Sequence, residues 1–141
     1  MNKYFFSILI GLLSTYCMAK DLSINQLSTN IYQHISYQFV EGYGNVPANG
    51  LIYVDGTSAY IVDTPWSTKD SKALFNWLQQ NGFSAAGVIA THFHQDASGG
   101  LSFFNQRNIP TYASAHTNQL LAQHGRSVAQ RVLSDLSEPI E

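Results

Sequence analysis

Cysteine and charged residues are both scarce in this chain. A single cysteine, Cys17, occurs among 141 residues, and charged residues make up 11%. One thiol cannot form an intramolecular disulfide, so the fold does not depend on disulfide pairing. The formal net charge of −2 provides no basic field, and we expect no nucleic-acid partner. Hydrophobic residues reach 45%, which indicates a packed globular domain rather than a disordered chain.

The first residues predict a secretory signal peptide. Lys3 precedes an apolar run over residues 4–13, which is too short to span a bilayer, and Ala19 is an acceptable last residue before cleavage. We therefore expect a signal peptide over residues 1–19, and a periplasmic domain over residues 20–141 with no stable membrane anchor. A membrane-anchored N terminus and a lipid-attached cysteine remain as alternatives.

The first third of the expected mature chain has the pattern of an antiparallel β meander. Residues 31–39 alternate with a period of two, which is typical of a strand. A segment rich in turn formers, residues 41–50, leads to a second strand at 51–54. Asp55-Gly56 then predicts a hairpin to a third strand at 58–62.

Strands and helices alternate in the remainder. Ser67 and Asp70 resemble a capping box, and Leu74, Trp77 and Leu78 mark one apolar helical face. The predicted elements that follow are a buried strand at 88–91, a helix at 97–107, a strand at 111–113 and a helix at 115–124. A β meander followed by β-α units predicts an α/β protein whose sheet carries helices on its outer face, as half of a layered fold.

A dense group of potential metal ligands follows the predicted buried strand. His92 and His94 are two residues apart and would point the same way in an extended segment, and Asp96 lies at the start of the next helix. Two imidazoles and a carboxylate suit zinc, whose catalytic sites use three protein ligands and leave one position for water. The pair Gly99-Gly100 would let the backbone pack closely here. The alternative is a loop with ordinary histidines in which Asp96 is only a helix N-cap.

The segment Thr91-His92-Phe93-His94-Gln95-Asp96-Ala97-Ser98-Gly99-Gly100 resembles the metal-binding motif of class B metallo-β-lactamases, in the subclass with two zinc ions. Other matching segments are Asn49-Gly50-Leu51-Ile52, Ile61-Val62-Asp63-Thr64-Pro65-Trp66 and Thr111-Tyr112-Ala113-Ser114. The glyoxalase II-like thioesterases of the same superfamily usually have histidine after the aspartate. Ala97 occupies that position, which disfavours thioester hydrolysis. The resemblance implies the N-terminal half of the αβ/βα metallo-β-lactamase sandwich.

The resemblance also implies roles for individual residues. His92 and His94 correspond to ligands of the first zinc, and Asp96 to a ligand of the second zinc that also orients the bridging hydroxide. Asp63 corresponds to the structural aspartate of the family. Tyr43 corresponds to an aromatic or apolar residue that related enzymes carry at the tip of a mobile loop over the substrate, and the alternative is an exposed turn residue. The implied reaction is hydrolysis of the β-lactam ring of antibiotics by a zinc-bound hydroxide.

Half of the ligands that the resemblance implies do not occur in residues 1–141. The third histidine, in a Gly-His-Thr motif, is absent, as are the cysteine and final histidine of the second zinc and a substrate-binding lysine. We expect His116 on a helix surface, His124 at a helix C terminus and His34 on the solvent side of its strand.

Apolar residues continue to Ile140, which favours a partial domain over a genuine short product. A zinc β-lactamase present as an N-terminal fragment and an inactive remnant with weak or no metal binding therefore both remain hypotheses, and the oligomeric state stays open.

Overall fold

The computed structural model describes residues 20–133, so the predicted signal peptide (1–19) and the apolar positions Leu136 and Ile140 lie outside the described residues. Eleven elements follow one another in these residues. They are β1 (Ser23–Ser28), β2 (Ile31–Val40), β3 (Gly44–Asp55), β4 (Ser58–Val62), α1 (Thr68–Gln80), β5 (Ser84–Ile89), α2 (Gln95–Ser98), α3 (Leu101–Asn105), β6 (Thr111–Ser114), α4 (Ala115–Gln123) and β7 (Arg131–Leu133). No helix in this part of the chain is long and apolar enough to cross a membrane.

The strands form a single seven-stranded sheet in chain order, β1 to β7. The pairs from β1 to β4 are antiparallel, which confirms the predicted meander. The pairs from β4 to β7 are parallel, and each is connected through helical segments. The sheet is therefore mixed, and the change from antiparallel to parallel pairing occurs at β4.

The helices share one hydrophobic core with one face of the sheet. Leu74 and Leu78 of α1 are fully buried in this core, as are Leu101 and Phe104 of α3 and Leu121 of α4. The strand side chains that meet them are Ile52, Val54, Ala59, Ile61, Val88 and Ala113. The predicted α/β architecture with helices on one face is confirmed.

The start of α1 follows its predicted capping signal. The Ser67 hydroxyl oxygen accepts a hydrogen bond from the backbone N–H of Asp70 at 3.1 Å, and its own proton is directed to the Asp70 carboxylate at 2.8 Å. The amide satisfied in this way would otherwise lack a partner at the helix start.

The segment predicted as a turn-rich connection over residues 41–50 is mostly strand. β3 begins at Gly44 and pairs with β2 from there to Tyr53, so only residues 41–43 form the turn. Pro47 is accommodated within β3, opposite Tyr37 of β2.

β1 and β7 were not predicted. β1 has few apolar residues, and β7 is only three residues long.

The single helix predicted over residues 97–107 is wrong. Two short helices, α2 and α3, occupy this stretch and are separated at Gly99-Gly100. A Cβ atom at Gly99 would lie 2.2 Å from the carbonyl oxygen of Trp66, and one at Gly100 would lie 2.1 Å from the Ser71 hydroxyl oxygen. The glycines allow this close approach to the segment after β4 and to the first turn of α1, and the helix breaks there.

Candidate metal centre

The three predicted ligands lie together where the connection after β5 enters the first turn of α2. One donor atom from each of His92, His94 and Asp96 can be chosen so that all lie within 4.8 Å of one another. His92 Nε2 is 3.3 Å from an Asp96 carboxylate oxygen. His92 and Asp96 are partly buried and His94 is exposed, so the group is open to solvent on one side. This is the one group of three or more histidine, cysteine or acidic residues with metal-binding geometry among residues 20–133.

Asp96 is not the N-cap of the helix that follows. The N-cap of α2 is His94, whose side chain makes no capping hydrogen bond, and Asp96 lies inside the first turn. The interpretation of Asp96 as a simple N-cap is therefore wrong. Its carboxylate instead faces the His92 imidazole.

A chain of hydrogen bonds assigns the tautomer of His92. The Thr91 hydroxyl lies 2.9 Å from both carboxylate oxygens of Asp63 and 3.0 Å from His92 Nδ1. A carboxylate only accepts, so the single hydroxyl proton of Thr91 is donated to Asp63. The Thr91 oxygen then accepts from His92 Nδ1–H, and Nε2 is the nitrogen that faces the Asp96 carboxylate, at 3.3 Å. In the neutral imidazole Nε2 carries the lone pair, so a cation bound there would have a donor atom on each side.

Asp63 is held at the end of β4 by its backbone as well as by its side chain. Its N–H donates to the Ile89 carbonyl at the end of β5, at 2.8 Å, and its carboxylate also accepts from the backbone N–H of Thr91 at 2.7 Å. Its φ of 62° places it in the left-handed region, which is uncommon for a residue other than glycine. Asp63 thus joins the ends of two strands to the base of the candidate metal centre, in agreement with the structural role that the resemblance implies.

Sequence reasoning missed the contacts that fix the loop between the ligands. The Phe93 carbonyl, which lies between the two histidines in the chain, accepts from the Arg126 guanidinium, and the Ser98 hydroxyl lies 2.8 Å from the His94 carbonyl oxygen and 3.1 Å from that of Phe93. The Phe93 ring stacks on the His124 ring with centroids 5.0 Å apart. The distance in sequence between Phe93 and the residues after α4 explains why no local pattern predicted these contacts.

The prediction that His34 faces solvent is wrong. Its side chain is 1% exposed, and Nε2 lies 2.9 Å from the carbonyl oxygen of Asp63. Ser36, two residues on, is also buried and accepts from the Trp66 N–H at 3.0 Å. These polar side chains of β2 face inward because they satisfy backbone groups of the segment after β4.

His116 and His124 lie as predicted, outside the ligand group, and the role of Tyr43 as a substrate contact stays a prediction. His116 is exposed on α4, and His124 is the C-cap residue of that helix. Tyr43 lies in the turn between β2 and β3 and is 84% exposed. Two glycines with positive φ, Gly42 and Gly44, flank it and permit this tight turn.

The donor set fits a small divalent cation. Four-coordinate zinc binds imidazole nitrogen and carboxylate oxygen at roughly 2.0–2.2 Å, which places neighbouring ligand atoms about 3.4 Å apart in a tetrahedron. The separation of 3.3 Å between His92 Nε2 and Asp96 matches this spacing. The donor atom of His94 lies within 4.8 Å of the other two, so the three residues could hold one metal ion. The resemblance instead assigns Asp96 to a second zinc ion beside that of the two histidines.

Comparison with known proteins agrees with this geometry. The metallo-β-lactamase type 2 of Pseudomonas aeruginosa is 39% identical over 117 residues, which are 83% of this chain and 48% of that protein. The crystal structure of VMB-1 superposes with a TM-score of 0.80 and 41% identity, covering 82% of this chain and 53% of that one. Over these residues the chain is similar to metallo-β-lactamases, in sequence and in fold.

A third relative connects the family to the metal. The structure of the metallo-β-lactamase FIM-1 from Pseudomonas aeruginosa, in its mono-zinc form, matches with a TM-score of 0.78 at 28% identity, over 82% of this chain and 51% of that one. No protein-family model matches the chain. The chain spans about half the length of the curated metallo-β-lactamases that it matches.

Proposed function

We propose that this chain supplies the metal-binding half of a zinc-dependent β-lactamase, with His92, His94 and Asp96 as its zinc ligands. The observation that carries the proposal is the grouping of the three donors within 4.8 Å, with His92 Nε2 facing the Asp96 carboxylate at 3.3 Å. Two similarities support it. The curated relatives are metallo-β-lactamases, and the similar structure of FIM-1 is a mono-zinc form. The substrate class that follows is the β-lactam antibiotics.

The described residues would orient the metal and the water. Thr91 and Asp63 keep the proton of His92 on Nδ1, so Nε2 is available as a ligand. Asp96 has a second carboxylate oxygen that can accept a hydrogen bond from a water molecule, and we propose that it orients the nucleophile. When bound, zinc lowers the pKa of a coordinated water and polarises a carbonyl group, which is the chemistry of amide hydrolysis.

Tyr43 is proposed as a substrate contact. Its ring projects from the turn between two long paired strands and is 84% exposed, so it is free to cover a molecule bound near the sheet edge. The flanking glycines, Gly42 and Gly44, give the turn the freedom to move. We also propose a periplasmic location, from the signal-peptide pattern of residues 1–19.

The second candidate is a remnant that binds metal weakly and does not turn over substrate. It is favoured by the ligand count, because the described residues provide three donors where the resemblance implies twice as many. Incomplete coordination lowers metal affinity.

A fusion experiment separates the two candidates. The 141-residue chain is assayed with a chromogenic cephalosporin and zinc, both alone and fused to the C-terminal remainder of the Pseudomonas aeruginosa relative. We expect no turnover from the chain alone, turnover by the fusion, and loss of that turnover in its Asp96→Asn variant. Tyr43→Ala in the fusion is expected to raise KM more than it lowers kcat.

The controls define the contrary results. His116→Ala in the fusion, outside the ligand group, should leave kcat/KM unchanged. A folded fusion that binds zinc and shows no turnover would refute the β-lactamase proposal. Chelator-sensitive turnover by the chain alone would show that three ligands are enough.

A further inference from the structure

A buried histidine on β2 reaches across the sheet to the base of the candidate metal centre. His34 Nε2 lies 2.9 Å from the carbonyl oxygen of Asp63. A carbonyl oxygen only accepts, so Nε2 must carry the proton. His34 Nδ1 is buried and has no hydrogen-bond partner, which means that the neutral ring with Nε2–H is the form that fits this site.

The sheet has a gap that admits this ring. Gly50 of β3 is the register partner of His34. A Cβ atom at Gly50 would lie 2.2 Å from His34 Nε2 and 2.5 Å from Cε1, so a larger residue there would displace the imidazole. The absence of a side chain at position 50 lets the imidazole cross β3 and reach Asp63 at the end of β4.

The contact acts on a residue whose backbone conformation is uncommon. Asp63 has a φ of 62°, and its N–H is already fixed by the Ile89 carbonyl. His34 Nε2–H donates a hydrogen bond to the carbonyl oxygen of Asp63. With both backbone groups fixed, the Asp63 carboxylate is directed at the N–H and hydroxyl of Thr91.

We propose that His34 is a positioning residue for the metal centre. By donating to the Asp63 carbonyl it keeps the Asp63 carboxylate on Thr91, and Thr91 in turn keeps the proton of His92 on Nδ1. His34 touches none of the three ligands and acts only through Asp63. The relay lies within the described residues, and only its consequence for zinc rests on the proposed function.

The buried environment of His34 keeps its ring neutral, with the Nε2 proton available as a hydrogen-bond donor. Burial lowers the pKa of His34 from 6.5 to about 4, and the hydrogen bond to Asp63 opposes this only in part. The ring is therefore neutral near pH 7, and it remains able to donate because only the Nε2 proton is needed. A glutamine amide can place an N–H near the Nε2 position, whereas the shorter asparagine amide cannot.

The test compares His34→Gln with His34→Asn in the metal-free 141-residue chain. The readouts are the ¹⁵N chemical shifts of the His92 ring, which report its tautomer, and the ¹H shift of the Thr91 amide. We expect Nδ1–H in the parent chain and in His34→Gln, and a mixture of tautomers with an upfield Thr91 amide in His34→Asn. Zinc affinity should fall by about 10–100-fold in His34→Asn, in line with the loss of a partner that orients a ligand.

Two further variants separate positioning from general stability. Leu78→Ala perturbs the core on α1 away from the site, and it should lower stability while leaving the His92 tautomer intact. If Leu78→Ala shifts the tautomer as much as His34→Asn does, His34 has no specific role. Combining His34→Asn with Asp63→Asn should alter the Thr91 and His92 signals no more than Asp63→Asn alone, and a larger change would overturn the proposal.

The NMR result and the zinc result can fail separately. A parent chain with the expected His92 tautomer that binds no zinc contradicts the proposed function and leaves the positioning role standing. Unchanged His92 and Thr91 signals in a folded His34→Asn variant refute the positioning role, whatever the zinc affinity.

Discussion

Thr91 connects a structural carboxylate to a metal ligand through one hydroxyl group. The hydroxyl donates to Asp63 and accepts from His92, so a single oxygen atom determines which imidazole nitrogen is free. Partners of this kind commonly set the orientation and basicity of ligating histidines. The chemistry of the site therefore depends on a residue that does not itself bind the ion.

Thr91→Val is expected to weaken zinc binding by about 10–100-fold with little change in the fold, because valine keeps the shape of threonine and removes the hydroxyl. Zinc competition with a chromogenic chelator measures the effect. Thr57→Val, on the exposed turn before β4, is the matched control and should bind zinc like the parent chain. Equal affinity in the two variants would show that the Thr91 hydroxyl does not matter for the metal.

The buried His34 predicts a pH dependence of stability. Its pKa is 6.5 when unfolded and about 4 when folded, so below pH 6.5 the unfolded chain binds a proton that the folded chain excludes. Its contribution is complete above pH 6.5 and is lost as the pH falls to 4, by about 3 kcal/mol in total. Urea denaturation at pH 7.5 and 4.5 should show a smaller loss in His34→Gln than in the parent chain. An equal loss would contradict the assignment.

The residues of the metal centre differ in how well the sequence predicted them. His92, His94 and Asp96 are close in sequence, so local spacing alone brought them together. The environment of His34 was predicted wrongly because a period of two shows which residues share a face and not which face is buried. Its partner, the Asp63 carbonyl, lies in a segment that only tertiary structure brings near.

At the scale of elements, the close approach of α2 and α3 to the segment after β4 holds the ligand loop in place. The Thr64 N–H donates to the Ala97 carbonyl at 2.8 Å, and the Thr64 hydroxyl accepts from the Gly100 N–H at 2.8 Å. These bonds tie the first turn after the ligands to the end of β4. The glycine pair is what allows the two backbones to come so close.

Gly99→Ala is expected to destabilise the fold by about 1–3 kcal/mol, because the added methyl group would overlap the Trp66 carbonyl, which cannot rotate away. Thermal unfolding measures the change. Gly87→Ala on β5 is the control, since its Cβ would meet its nearest atoms at 3.4 Å, an ordinary contact. Equal unfolding temperatures for the two variants would contradict the close-approach account.

Elements with one clear signal were predicted, and those with conflicting signals were not. α1 has a cap and an apolar face, and both are present in the structure. The first half of β3 carries glycine and proline, which are typical of turns, yet pairing with β2 makes it a strand. The break between α2 and α3 follows from contacts with Trp66 and Ser71, which no local pattern contains.

At the scale of the whole molecule, the described residues cover only one face of their sheet. Leu51, Tyr53 and Tyr60 on the other face are 42%, 45% and 40% exposed, and the two tyrosine rings stack at 6.4 Å. Alternation along β3 and β4 thus gives a core side and an open apolar side. This agrees with the prediction that the chain forms half of a layered fold, and with its match to about half the length of its relatives.

The most direct test of the account is metal binding by the 141-residue chain itself, followed by the visible absorption of Co²⁺ in place of zinc. We predict one equivalent of Co²⁺ with a spectrum typical of nitrogen and oxygen ligands, lost when His92, His94 and Asp96 are all replaced by alanine. His116→Ala and His124→Ala should retain the spectrum. Retention of the signal by the triple variant, or its absence from the folded parent chain, would contradict the claim that these three residues form a metal centre.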